Sequence, residues 1–292
     1  MIGTTIRIIP RLDIKGHDLV KGVHLEGLRV LGRPEQFART YYEQGADELF
    51  YMDVVASLYQ RNSLLDLVSR TSREIFIPLT VGGGLRSVED IRAVLHAGAD
   101  KVSLNTAAIG RPELIREVAR RFGSSTIVVS IEAIKKRNGG YEAMTDHGRQ
   151  PTGRDAVEWA RQASELGAGE IAIMSIDREG TGKGFDLELT RSIAAAVPVP
   201  VIACGGAGAP DHVHAAVVTG QADGVCIASI FHYHLIQQRA NQAQLSGEGN
   251  TDYLKSRRPV SHLRCASVQE IKNHLIGLGI LCRRPLAKAV HA

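Results

Sequence analysis

Residues 77–106, IPLTVGGGLRSVEDIRAVLHAGADKVSLNT, align without a gap on residues 200–229, PVIACGGAGAPDHVHAAVVTGQADGVCIAS, at a constant offset of 123. Gly82, Gly83, Ala93, Ala99, Asp100 and Val102 meet Gly205, Gly206, Ala216, Ala222, Asp223 and Val225. Each copy reads as a short apolar run, a Gly-Gly turn, an amphipathic stretch ended by glycine and a second short run, which is a strand, a crossover helix and a parallel strand. A second pair, GADELFYMD from Gly45 and GAGEIAIMS from Gly167, repeats at an offset of 122. Copies half a chain apart predict a molecule made of two similar halves of four units each.

Outward from the repeat, eight strand segments are expected: Ile6–Leu12, Glu48–Asp53, Phe76–Thr80, Lys101–Leu104, Thr126–Ile131, Glu170–Ser175, Val199–Ala203 and Gly224–Ile227. Between them Pro34–Gln44, Ser87–Ala97, Pro112–Arg121 and Asp155–Leu166 carry apolar residues at helical spacing. The alternation predicts an α/β protein, a closed (β/α)8 TIM barrel, with residues 1–292 forming one domain. A doubly wound open sheet is the competitor, but the GxGxxG fingerprint after the first strand is missing. Residues 233–266 break the rhythm, and helical spacing resumes at Val268–Leu278. The segment therefore reads as an insertion between strand 8 and helix 8, at the C-terminal face of the strands.

With 44% hydrophobic residues among 292, the chain can bury a full-sized core. Thirty-five Lys and Arg against thirty-one Asp and Glu leave a net charge of +4 without the dense basic stripe of a duplex-DNA binder, so no nucleic-acid partner is expected. The longest apolar run, Ile193–Cys204, is broken by Pro198 and Pro200 and is shorter than the roughly 20 residues of a membrane helix. No membrane association is expected. The start, Met1-Ile2-Gly3-Thr4-Thr5-Ile6-Arg7, lacks a signal-peptide pattern, which points to the cytoplasm. Cys204, Cys226, Cys265 and Cys282 show neither CxxC pairing nor metal-like His spacing, so no metal and no cofactor are expected.

Gly82-Gly83 and Gly205-Gly206 each follow a strand and precede a helix. Such a turn exposes backbone N–H groups at a positive helix end, and the missing Cβ atoms admit a phosphate. About 23 residues after each pair another strand ends on small or hydroxyl residues, Asn105-Thr106 and Ala228-Ser229, which complete a candidate cradle in each half. Glycines also simply permit tight turns; the duplication of the whole constellation favours phosphate. Two cradles across one barrel mouth imply a ligand with a phosphate at each end.

Carboxylates end four strands around the same mouth: Asp13 after strand 1, Asp53 after strand 2, Glu132 after strand 5, and Asp177 and Glu179 after strand 6. Asp13 and Glu132 close corresponding strands of the two halves and should face one another, as acid–base chemistry on one substrate requires. Lys21, in the glycine-punctuated loop after strand 1, has the reach to cover the mouth. At the opposite end, four strands begin with Arg7, Glu48, Lys101 and Glu170. Pointing inward, these would make a ring of paired charges at the barrel floor; pointing outward, they would only meet solvent. Spacing leaves both readings open.

The segments RIIPRLD (Arg7–Asp13), LVKG, GADEL, IPLTVGGGLRSVED, GADKVSLNTAA, RFGS, PTGRDAVEWA, LGAGEI, SIDREGTGKGFDLELT, VIACGGAG and ASIFH resemble the cyclase subunits of imidazole glycerol phosphate synthase, a family of histidine biosynthesis. The resemblance covers nearly everything outside the insertion. It implies a (β/α)8 lyase that takes ammonia from a separate glutaminase subunit. With it the enzyme converts a ribulosyl formimino aminoimidazole carboxamide nucleotide, phosphorylated at both ends, into imidazole glycerol phosphate and aminoimidazole carboxamide ribonucleotide. By the same resemblance Asp13 and Glu132 stand at the two catalytic positions, Lys21 is the loop lysine that closes over substrate, and Arg7, Glu48, Lys101 and Glu170 gate ammonia arriving from the glutaminase docked below.

The chain departs from the family at several of these places. The family's cysteine before the first catalytic aspartate is Arg11, its threonine after strand 2 is Val55, its strand 6 loop aspartate is Glu179, and its serine before the second glycine pair is Cys204. Glu132 replaces the second catalytic aspartate. Its extra methylene moves the carboxylate by more than about an ångström, and misplacement of that order can cost about 10²-fold, near 2.7 kcal/mol of barrier. The departures and the insertion suggest two other readings: a paralogous ammonia-transfer subunit for amidation of a sugar in surface polysaccharide (O-antigen) biosynthesis, and a non-catalytic scaffold that keeps the ammonia conduit.

Overall fold

The computed structural model describes residues 5–56, 64–137, 139–240 and 263–284. Twelve strands follow one another: β1 Arg7–Lys15, β2 Asp18–Val23, β3 Glu26–Gly32, β4 Leu49–Asp53, β5 Leu79–Gly82, β6 Lys101–Leu104, β7 Ile127–Lys135, β8 Tyr141–Thr145, β9 Gln150–Asp155, β10 Glu170–Ser175, β11 Val201–Cys204 and β12 Gly224–Ile227. Eight of them, β1, β4, β5, β6, β7, β10, β11 and β12, pair in parallel, each with the next, and β12 returns to β1. This is the closed (β/α)8 barrel that the repeat predicts.

Burial divides along the period of two. One set of side chains packs outward against the helices, including Val88–His96, Ala156–Glu165 and Pro210–Val218. The other set packs inside the barrel, where Ile9, Phe50, Val128, Ala172, Ile202 and Cys226 form one apolar cluster. Their register carries Arg11 and Asp13 of β1, and Ser130 and Glu132 of β7, inward on the same side toward the C-terminal mouth. The repeated aspartates have a structural task. Asp100 Oδ2 accepts from Leu79 N and Asp223 Oδ2 from Val201 N, both at 2.9 Å, tying the foot of each strand to that of its neighbour.

Several expectations are corrected. The third barrel strand is Leu79–Gly82 and not Phe76–Thr80, because Pro78 has no N–H to donate and Phe76 is 79% exposed. The seventh starts at Val201, just after Pro200. Beyond the eight expected strands stand two antiparallel hairpins, β2–β3 after β1 and β8–β9 after β7, at equivalent places in the two halves. The expected insertion at 233–266 begins inside a helix, Ser229–Ala240, and residues 241–262 lie outside the described residues. The last helix, Val268–Gly277, starts on a capping box of Ser267 and Glu270. Among the described residues no helix is long and apolar enough to cross a membrane.

Candidate active site

The barrel floor is a closed ring of charges. Arg7 Nη1 lies 3.1 Å from Glu48 Oε2 and 2.9 Å from Glu170 Oε1, and Lys101 Nζ lies 2.9 Å from the same two oxygens. Each cation bridges both carboxylates. The Thr80 hydroxyl donates to the other Glu48 oxygen at 2.5 Å, so Glu48, which is buried, keeps partners on both sides. Inward orientation, which strand spacing left undecided, follows from the pleat: these residues have the parity of Ile9, Phe50, Ser103 and Ala172.

Above the apolar layer the first departure from the family shows its effect. Arg11 is buried within the barrel, its Nε donating to Asp13 Oδ1 at 2.7 Å and its guanidinium 5.9 Å from the centre of the Phe50 ring. Burial by itself would raise the Asp13 pKa, but Arg11, with Lys21 beyond it, overrides burial and holds the carboxyl below its ordinary range. Glu132 experiences the opposite. Burial pushes its pKa up to about 7, against the pull of Arg11 and of the Gly148 N–H. One Glu132 oxygen accepts from Asn105 Nδ2 at 3.1 Å and from Gly148 N at 2.8 Å. The longer side chain is thus anchored by the β8–β9 turn.

That turn is unusual. Asp146 (φ 50°) and His147 (φ 60°) both lie in the left-handed region, followed by Gly148 (φ 74°). The Thr106 hydroxyl accepts from Asp146 N at 3.1 Å and helps hold the turn in place. His147 Nδ1 faces Glu132 Oε1 at 3.9 Å. Burial lowers the His147 pKa, leaving the ring neutral near pH 7. On the other side of the mouth, Lys21 sits on β2 and forms a buried ion pair with Glu179, whose second oxygen accepts from Leu25 N at 3.0 Å. The β2–β3 hairpin is tied down over the barrel mouth.

Two cavities flank the carboxylates. The first is lined by Asp53, Gly83, Gly84, Asn105, Thr106 and Glu132, with Ser103, Ser130 and His147. The second is lined by Arg11, Asp13, Lys21, Glu179, Gly205, Gly206, Ala228 and Ser229. Gly83 and Gly206, repeat partners, share a φ of 101°. A Cβ on Gly206 would meet Gly184 O at 2.2 Å, and one on Gly83 would meet Asp53 O at 2.3 Å, so close loop packing demands glycine here quite apart from any ligand. Gly82 does not line the first cavity; a Cβ on it would meet Met52 Cε at 2.8 Å and Ser103 Cβ at 2.9 Å.

Asp177 is not brought into this cluster: it is exposed and accepts from Lys135 N at 2.9 Å, because its side chain points outward from the turn that carries Glu179 inward. Sequence reasoning missed Ser103, Ser130, Gly84 and His147. The two serines were reachable, since they share the parity of Lys101 and Glu132. His147 was not, because it depends on an unforeseen hairpin.

A closed barrel with paired carboxylates of divergent pKa at the C-terminal ends of its strands has the layout of a (β/α)8 enzyme. The sequence profile of the histidine biosynthesis proteins matches residues 7–237. The imidazole glycerol phosphate synthase subunit HisF of Legionella pneumophila is 58% identical over 205 residues, 70% of this chain and 97% of that protein. The subunit of the same name from Thermobifida fusca strain YX is 52% identical over 249 residues, 84% of this chain and 97% of its own length. The chain therefore belongs to the histidine biosynthesis protein family, on the branch of the HisF cyclase subunits.

Proposed function

We infer that the chain is the cyclase subunit of an imidazole glycerol phosphate synthase. It receives ammonia from a glutaminase subunit docked at the N-terminal face and reacts it with the doubly phosphorylated ribulosyl formimino aminoimidazole carboxamide nucleotide. The products are imidazole glycerol phosphate and aminoimidazole carboxamide ribonucleotide. The observation that carries this reading is the carboxylate pair set between two glycine-walled cavities, one in each half of the barrel.

The chemistry asks for two groups in opposite protonation states. Adding ammonia to the ribulosyl ketone needs a base to take a proton from nitrogen and an acid to give one to the departing oxygen. Asp13, held ionised by Arg11 and Lys21, is the base; Glu132, half protonated near pH 7, is the acid. The cavities of Gly83-Gly84 with Thr106 and of Gly205-Gly206 with Ser229 take the two phosphates. Lys21, drawn to Glu179, holds the β2–β3 hairpin across the mouth and keeps water out. Arg7, Glu48, Lys101 and Glu170 meter ammonia into the barrel.

Purified protein given the bisphosphate and an ammonium salt should release imidazole glycerol phosphate without any glutaminase. No turnover under those conditions refutes the assignment. Glu132, the Arg11–Asp13 ion pair and the insertion keep the sugar-amidation reading in play; rescue of a cyclase-null histidine auxotroph by this gene would exclude it.

A further inference from the structure

Cys204 and Cys226 are register partners on the neighbouring parallel strands β11 and β12, and both turn into the apolar cluster inside the barrel. Both are buried free thiols. Neighbouring strands run about 4.8 Å apart, inside the roughly 4.4–6.8 Å of Cα separation that a disulfide spans. The sulfurs already meet: the Cys226 thiol is hydrogen-bonded to Cys204, whose own Sγ donates to the Ile202 carbonyl at 3.8 Å. Cys226 also lines the second cavity with Arg11, Gly205 and Ser229, so a small solute entering from the mouth reaches its sulfur.

We propose that Cys204 and Cys226 are a dithiol that a hydroperoxide closes into a disulfide, a modification site inside the barrel. The Cys226 sulfur attacks one oxygen of hydrogen peroxide; the O–O bond breaks, the thiol proton leaves with the departing oxygen as water, and the sulfur becomes a sulfenic acid. The Cys204 sulfur then displaces that hydroxyl. The S–S bond forms, the S–O bond breaks, and the second thiol proton completes a second water. Two electrons pass from the sulfurs to the peroxide, and dithiothreitol returns them. Burial holds the Cys226 thiol well above its ordinary range, and the hydrogen bond to Cys204 adds to this against the pull of Arg11, so closure answers sustained rather than brief peroxide. The link would act on the mouth from below. Cys204 leads directly into Gly205-Gly206, and Cys226 stands close enough to act on the charge of Arg11, which holds Asp13. That effect on turnover rests on the cyclase reading above; the linkage itself does not.

Native protein is treated with hydrogen peroxide, quenched with N-ethylmaleimide and mapped by mass spectrometry, while ammonium-dependent turnover of the bisphosphate is followed in parallel. The expected result is one linked peptide pair joining Cys204 to Cys226, a loss of turnover of about tenfold from the shifted turn, and reversal of both by dithiothreitol. Cys204→Ser, nearly isosteric and shown to fold by its thermal melt, should keep the turnover of the reduced enzyme. Under peroxide it should form no link, its Cys226 should advance to the sulfinic acid, and no loss should be reversible by dithiothreitol. If Cys204 and Cys226 stay unlinked in the native protein, or Cys265 and Cys282 take the oxidation instead, the site is overturned. A link that leaves turnover untouched overturns its effect on the mouth. A reduced enzyme without turnover refutes the cyclase reading alone, and the linked peptide still decides the site.

Discussion

Glu132 and Asp13 are both buried carboxylates at equivalent strand ends, yet their surroundings drive them apart, and the difference has a testable sign. In the proposed mechanism Glu132 acts protonated and Asp13 ionised. With ammonia held at saturation, kcat should fall as pH rises through about 7, where Glu132 loses its proton, and fall again in acid, where Asp13 gains one. In Glu132→Gln the alkaline limb should disappear and the remaining rate drop about 10²-fold or more. Arg11 has the corresponding influence on Asp13. Replacing it by Met leaves the Asp13 charge buried with less compensation, so urea denaturation should show a loss of about 3 kcal/mol, with the acid limb of the rate profile moved upward. Neither effect could be read from the sequence, which placed Asp13 and Glu132 just past strands that in fact run on through them to Lys15 and Lys135, and gave no measure of their burial.

At the scale of single elements, the glycine turns and the two hairpins govern the mouth. Gly206→Ala would push a Cβ toward the Gly184 carbonyl at 2.2 Å and place alanine at a φ of 101°, so the turn has to move. It should lower stability by about 1 kcal/mol or more and weaken phosphate binding in the same variant, measured by thermal melts and calorimetry. Thr106→Val should act more quietly. It removes the acceptor of the Asp146 N–H, loosening the turn that holds Glu132, and should cut kcat severalfold with little change in unfolding midpoint. The helices were legible because polar caps and apolar spacing agree: Ser87 and Asp155 start their helices as the sequence indicates. The hairpins escaped notice because β2 and β8 are mostly buried and β3 and β9 mostly exposed, so none alternates cleanly, and Gly22 and Gly153 interrupt β2 and β9.

For the molecule as a whole, the helix Val268–Gly277 is tied back to the turn ahead of β4, beside the seam where β12 meets β1. Lys272, fully buried on Val268–Gly277, donates to Asp47 Oδ1 at 2.6 Å and to the Gly45 carbonyl at 2.7 Å, across more than two hundred residues of chain. Lys272→Met should therefore cost about 3 kcal/mol in urea denaturation while sparing the ammonium-dependent kcat of the protein that stays folded. The sequence by itself determined the barrel, its two-fold repeat and the strand ends that carry the acids, because periodicity and turn chemistry are local properties written once per element. Only the tertiary structure decided that the four floor charges close into a ring, that Arg11 binds Asp13, that Asp177 turns away and that His147 enters the cavity. The ring, the outward turn of Asp177 and the entry of His147 rest on distances between residues remote in the chain; the Arg11–Asp13 pair, two residues apart on β1, rests on how much water both lose when the barrel closes.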